Sequence, residues 1–116
     1  MTTLLIVDDH ASFRTWARRM LSDDGFDVVG EAADGASAVA AVTRLRPDVT
    51  LLDILLPDMT GFEVAAAVQE LTTVVLTSSR DLADFGVDAR TPGAGFVAKA
   101  ELSGAALDRM VSGDDE

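Results

Sequence analysis

Residues 48–53 read DVTLLD, and the stretch continues as ILLPDMTGFEV to residue 64. Val49, Leu51 and Leu52, with the β-branched Thr50 among them, form a short, mainly apolar run behind Pro47, which reads as a buried strand. Asp53 closes that run, with Ile54, Leu55 and Leu56 following. An ionised carboxylate in apolar surroundings is costly unless something pairs with it. The stretch therefore asks for a fold in which a buried strand delivers one acid to an edge where a cation can meet it. A parallel α/β sheet does this, because its ligands bind beyond the carboxyl ends of the strands.

The flanking sequence supplies such a sheet. TLLIV (3–7) is an apolar, β-branched run ending at acid, and reads as the first strand. Residues 11–22 carry Phe13, Trp16, Ala17, Met20 and Leu21 at helical spacing, with Arg14, Arg18 and Arg19 elsewhere on the helix. A glycine-containing turn leads to a second strand at 27–31. Residues 34–45 read as a helix capped by Asp34 and ended by Pro47. After the third strand (48–53), Pro57 and Gly61 punctuate a loop, and 62–71 reads as a short helix. TTVVLT (72–77) and GFVAK (95–99) are the fourth and fifth strands, and 103–111 is a last helix with Ser103 as cap. The stretch 80–92 holds Gly86 and Pro92 and has no clean periodicity, so any helix there is expected to be short or distorted. Strands alternating with helices predict an α/β fold, a flavodoxin-like (βα)5 doubly wound parallel sheet in the order 2-1-3-4-5.

Composition sets the limits. The 116 residues suggest one domain, taken as 1–112 with an acidic tail at 113–116. A net charge of −11 argues against direct nucleic-acid binding. Without cysteine there are no disulfides or thiolate metal sites. Met1 leads quickly into LLIV and acid, so no signal peptide is expected. No apolar run approaches the roughly 20 residues of a membrane span. A cytoplasmic protein without membrane contact is the expectation. Eight arginines accompany one lysine, Lys99, whose position a general preference for arginine leaves unexplained.

The predicted fold gathers polar groups at one edge. Strand 1 ends in Asp8 and Asp9, strand 3 in Asp53, strand 4 in Thr77 and strand 5 in Lys99. Taken singly, each has an ordinary explanation: Asp9 as a cap for the first helix, Lys99 as a surface residue, Thr77 as a common strand-end residue. Together, three converging carboxylates repel one another unless a cation is supplied. A hard divalent ion with oxygen ligands, such as Mg²⁺, suits such a site. A metal, a lysine and a hydroxyl around one carboxylate suit a transferring phosphoryl group, with the carboxylate as nucleophile.

The pieces LLIVDDH, PDVTLLDILLPDMTGFEV, VVLTSS and GFVAKAEL, in this order, resemble the response-regulator receiver domain of two-component signalling over essentially the whole chain. That resemblance implies Asp53 as phosphoacceptor, and Mg²⁺ held by Asp8, Asp9, Asp53 and the backbone carbonyl of Leu55. It implies Lys99 as partner of the acceptor or its phosphoryl group, and Thr77 and Phe96 as the switch pair. Pro57 and Gly61 match the loop after the acceptor. A sensor histidine kinase is the implied phosphodonor, and the chain is expected to catalyse only its own phosphorylation and dephosphorylation. VDDH and the TSS…GFVAKAELSGAAL ending are similar to receivers attached to helix-turn-helix regulators. The output is then a separate partner or, in a longer chain, a C-terminal DNA-binding domain. A homodimer would use the face formed by the fourth helix, fifth strand and fifth helix.

Two departures from the family pattern carry expectations. Only 24 positions separate Asp53 from Thr77, so QELTTVV must turn tightly; no site residue is lost, but the position of Thr77 depends on that turn. Ala100 follows Lys99 where the family often has a cis proline, and a trans bond is expected because a non-proline cis bond costs about 2.5–4 kcal/mol. The Arg14, Arg18 and Arg19 group reads either as a kinase-docking face or as a solvated surface. A phosphorylation-independent interaction module is the alternative function. An Asp-nucleophile phosphatase ranks below it, because Leu55 stands where such enzymes place a general acid.

Overall fold

In a computed structural model the described residues are 1–79 and 95–112. Five parallel strands, β1 (Thr3–Val7), β2 (Asp27–Ala32), β3 (Val49–Asp53), β4 (Thr73–Ser78) and β5 (Gly95–Ala98), form one sheet in the order β2-β1-β3-β4-β5. Among the described residues the α-helices are α1 (Ala11–Asp23), α2 (Gly35–Leu45) and α3 (Gly61–Val68), which connect successive strands, and α4 (Gly104–Ser112), which follows β5. The expected α/β architecture and strand order are both present. The irregular 80–92 stretch and the 113–116 tail lie outside the described residues.

Strand side chains alternate between faces, so each strand feeds two cores. Leu4, Ile6, Leu51 and Val75 pack with Ala17 and Leu21 of α1 and with Ala106 and Leu107 of α4. Leu5, Val7, Leu52, Val74 and Leu76 pack with Ala38 and Val42 of α2 and with Val64 and Val68 of α3. Every residue of β3 is buried. This explains why the run lacks the polar alternation of a one-faced strand, because a central parallel strand has no solvent face.

The shortened segment after Asp53 is absorbed before β4. Helix α3 ends at Val68, three residues before the predicted limit, and residues 69–72 turn straight into β4. The turn is closed by backbone bonds from Leu71 N and Thr72 N to Val68 O, at 2.8 and 3.2 Å. Underneath, the Thr50 and Thr72 hydroxyls meet at 3.1 Å, which satisfies both in the interior. Register is kept, so Asp53 pairs with Thr77 across β3 and β4. The short spacing is thus met by helix and turn, and β4 stays in register with β3 at Thr77.

Caps hold the helices in place. Asp34 accepts from Ser37 N at 2.8 Å and Ser103 Oγ from Ala106 N at 3.0 Å, as the sequence predicts. Asp9 does not cap α1; its N-cap is His10, which makes no side-chain cap bond. The loop after β3 is tied to α2 by Asp58, which accepts from Gly35 N and Ala36 N at 2.7 and 3.0 Å. Gly61 donates to Ile54 O at 2.6 Å and packs flat on the end of β3. A methyl group at Gly61 would collide with the Asp53 carbonyl oxygen and stand 2.8 Å from Ile54 Cα, so this close approach requires glycine.

Candidate functional site: an acidic cluster at the carboxyl edge

The two central strands deliver the acids. Asp8 follows β1, and Asp53 ends β3. Asp8 is fully buried and Asp53 is 4% exposed, whereas Asp9 reaches solvent. Asp8, Asp9, His10 and Asp53 each offer one donor atom, and these atoms all lie within 4.8 Å of one another. The set can therefore surround a single cation.

Lys99, the first residue after β5, supplies the fixed positive charge. Its Nζ donates to Asp8 Oδ2 at 2.5 Å and lies 3.5 Å from Asp53 Oδ2. The ammonium also sits 4.3 Å from the centre of the Phe13 ring, a cation–π contact from α1. Phe13 in turn meets Trp16, ring centres 5.8 Å apart. No cis peptide occurs among the described residues, so the Lys99–Ala100 bond is trans as expected.

The two buried acids are driven in opposite directions. Burial pushes the Asp8 carboxyl up, but hydrogen bonds from Lys99 and from the His10 amide, with the lysine charge, outweigh it and hold Asp8 below the usual carboxylate range. Burial pushes Asp53 up to about 6; Lys99 opposes this, and the neighbouring Asp8 charge reinforces it. Asp53 Oδ1 accepts a weak bond from Leu55 N at 3.3 Å. Lys99 thus favours Asp8, leaving Asp53 the under-compensated acid.

Thr77 is fully buried and pairs with Asp53 across the sheet, and among the described residues its Oγ1 has no hydrogen-bond partner. Leaving a buried hydroxyl unmatched costs about 1–3 kcal/mol, so this atom is poised for an acceptor. Phe96 lies on β5 opposite Leu76, partly buried against the α2–α3 core rather than among the acids. Leu55 is 47% exposed and forms an isolated bridge with Thr60. A groove of about 460 Å³ runs between β5 and α4, lined by Phe96, Ala98, Glu101, Arg109 and Met110 among others.

Sequence reasoning gave no site role to His10 or Phe13, and read Arg14 only as part of a docking or solvated face. His10 Nδ1 lies 3.1 Å from Asp8 Oδ1 and 3.2 Å from Asp9 Oδ1. Phe13 fits the apolar stripe of its helix, yet it carries Lys99. Arg14 donates through Nη1 to the Asp8 carbonyl at 2.7 Å and through Nε to Glu31 at 3.0 Å. Arg18 joins it on Glu31 at 2.7 Å, and the hydrogen bond from Arg18 leads in holding Glu31 below the usual range. Arg14 and Arg18 therefore clamp α1 onto β2 and are not simply a solvated face. The available signal was local: a histidine directly after two acids, at a helix entry.

The family model for the response regulator receiver domain matches residues 4–110. A transcriptional regulator of Pseudomonas aeruginosa is 39% identical over 87% of this chain and 51% of its own length. A protein-glutamate methylesterase/protein-glutamine glutaminase of Halobacterium salinarum is 37% identical over 98% of this chain and 38% of its own. The chain thus spans about half, or less, of these relatives. The receiver domain of the response regulator NarL from Mycobacterium tuberculosis superposes with a TM-score of 0.83 at 41% identity, covering 97% of both chains. CheY in a CheX–CheY–BeF3–Mg²⁺ complex from Borrelia burgdorferi gives 0.81 at 26% identity, over 97% of this chain and 87% of that one. Fold, acidic cluster and family match agree: the chain belongs to the response regulator receiver domain family.

Proposed function

We propose that residues 1–112 form a phosphoacceptor domain, with 113–116 as its acidic tail, working in the cytoplasm with a sensor histidine kinase. Asp53 is the acceptor. One carboxylate oxygen attacks the phosphorus of a phosphohistidine. An O–P bond forms, the N–P bond breaks, and the leaving imidazole nitrogen keeps the electron pair and takes up a proton from solvent. The chain catalyses only this transfer and the later hydrolysis of its own aspartyl phosphate.

Three clustered carboxylates are hard oxygen donors of the kind Mg²⁺ takes, so Asp8, Asp9, Asp53 and the Leu55 carbonyl would hold it. When bound, it supplies positive charge for the oxygens of the transferring group. Lys99 holds Asp8 in place and stands close enough to Asp53 to take a share of the incoming charge. Arg14 fixes the backbone of Asp8, and the Asp58 and Gly61 contacts fix the loop behind Asp53.

The observation that carries this reading is the buried Thr77 hydroxyl without a partner beside the acceptor. A phosphoryl oxygen on Asp53 gives that hydroxyl an acceptor, which makes Thr77 the switch residue. Its movement lets Phe96 turn inward on β5 and changes the β5–α4 groove, where an output partner or a second copy docks. In a longer chain the output is an attached C-terminal DNA-binding domain. The test is incubation with Mg²⁺ and acetyl phosphate, or with beryllofluoride, followed by intact mass and amide shifts. One added phosphoryl group on wild type and none on Asp53→Asn is expected. Labelling that persists in Asp53→Asn, or none in wild type, overturns the reading.

A further inference from the structure

We propose that His10 is a ligand of the divalent cation and tunes the site toward first-row transition ions. The inference rests on the metal reading above and adds to it one nitrogen donor. His10 occupies the N-cap of α1 but makes no side-chain cap bond, and its side chain is 67% exposed. Neither capping nor packing therefore explains where the imidazole sits. Its own backbone amide donates to Asp8 Oδ1 at 2.8 Å, which brings the residue against the cluster.

The distances suit a shared ion. His10 Nδ1 is 3.1 Å from Asp8 Oδ1 and 3.2 Å from Asp9 Oδ1. An octahedral ion bound at about 2.1–2.2 Å to each donor sets adjacent donors about 3.0–3.1 Å apart. Asp8 divides its two oxygens: Oδ2 goes to Lys99 and Oδ1 faces His10. One edge of the carboxylate thus serves the fixed cation and the other is turned toward the exchangeable one.

Donor chemistry then sets selectivity. Carboxylates and water suit Mg²⁺, whereas imidazole favours Co²⁺, Ni²⁺ and Zn²⁺. With His10 the site binds Ni²⁺ and Co²⁺ preferentially, and Mg²⁺ binds through the oxygens alone. A competing account makes the imidazole N–H a bridge between two carboxylates, standing where a cation would stand. The two accounts predict opposite signs for removal of the ring.

The experiment is calorimetric titration of the metal-free chain with Mg²⁺, Mn²⁺, Co²⁺ and Ni²⁺. Wild type is compared with His10→Ala and with His10→Ser, which keeps a good N-cap. Expected is a loss of about tenfold or more in Ni²⁺ and Co²⁺ affinity in both variants, with Mg²⁺ affinity nearly unchanged. In wild type, Ni²⁺ should also shift or broaden the His10 ring signals in NMR spectra. An equal loss for every ion, no loss, or tighter binding in the variants overturns the role of His10. Mg²⁺ binding to wild type, read in the same titration, tests the underlying metal site separately. Its absence together with absence of Ni²⁺ binding overturns both.

Discussion

Asp53→Asn should stabilise the metal-free protein, by an amount that depends on pH. Asp53 is buried and its carboxyl is raised to about 6 from a usual value of 3.8. At about 1.4 kcal/mol for each factor of ten in proton affinity, that rise corresponds to about 3 kcal/mol between the two protonation states. The sign follows from proton counting. The folded state holds this proton more tightly than the unfolded state, so between about pH 4 and 6 it binds more protons. Stability from this group is fully present below the unfolded value and is lost as pH rises through about 6. Asparagine is always neutral and escapes the loss. Near pH 4 the variant and wild type should differ little. Above about pH 7 the variant should be more stable by up to about 3 kcal/mol, or roughly 10 °C in Tm for a domain of this size. Urea unfolding followed by circular dichroism in EDTA, across that pH range, reads the difference. Mg²⁺ should narrow the gap, because an ion that binds only the folded acids stabilises wild type more. A gap constant with pH, or a variant less stable at high pH, would refute the electrostatic argument.

Lys99→Met leaves Asp8 and Asp53 without their shared cation, and should cost about 2–4 kcal/mol in metal-free urea melts; a loss below about 0.5 kcal/mol would mean the lysine is not what holds the pair. Thr77→Val removes a buried hydroxyl that has no partner, so thermal unfolding should show it unchanged or more stable by up to about 2 kcal/mol, while its amide-shift response to beryllofluoride falls away. Gly61→Ala forces a methyl group against the Asp53 carbonyl and Ile54 Cα, and should cost about 2 kcal/mol or more in equilibrium unfolding and slow acetyl-phosphate labelling with it.

The parts that were legible in the sequence share a cause: they are periodic or they are terminal. β3 is buried on both sides, so its residues are mostly apolar, with Thr50 tolerated through its bond to Thr72, and the run Val49–Leu52 announced it. Asp34 and Ser103 announced their helices because a cap is a local interaction. Asp8, Asp9, Asp53 and Lys99 were legible because strand ends in a parallel sheet fall on one edge, which makes their meeting a consequence of topology. What stayed hidden depends on contacts between distant segments. The short spacing between Asp53 and Thr77 leaves open where the missing residues are taken up; the structure takes them from the end of α3 and the turn after it, and β4 keeps its register with β3. Phe13 looks like core because its spacing is that of core; its contact with Lys99 joins residues 86 positions apart in sequence. Arg14 and Arg18 look solvated because Glu31 is on another element.

Three separate imperfections meet at one point in this fold. Asp53 is an acid with too little compensation, Thr77 is a buried donor without an acceptor, and Lys99 leans to Asp8, 2.5 Å against 3.5 Å for Asp53. Each alone would be an ordinary cost of an active edge. Their arrangement is specific, because a single group would relieve all three. On the function proposed above, a phosphoryl group on Asp53 would offer oxygens to Lys99, 3.5 Å from the carboxylate, and to Thr77 on the paired strand. On that reading the lysine must redistribute between its two acids. Phe13, in contact with the ammonium, is then the residue on α1 that feels the change, and Trp16 beside it is half exposed. As the chain's one tryptophan, Trp16 should change its emission on beryllofluoride addition in wild type but not in Phe13→Leu. If the change survived in Phe13→Leu, the lysine would not be communicating through the ring. The α1 face would then answer to the site by another route, such as the Arg14 bond to the Asp8 carbonyl.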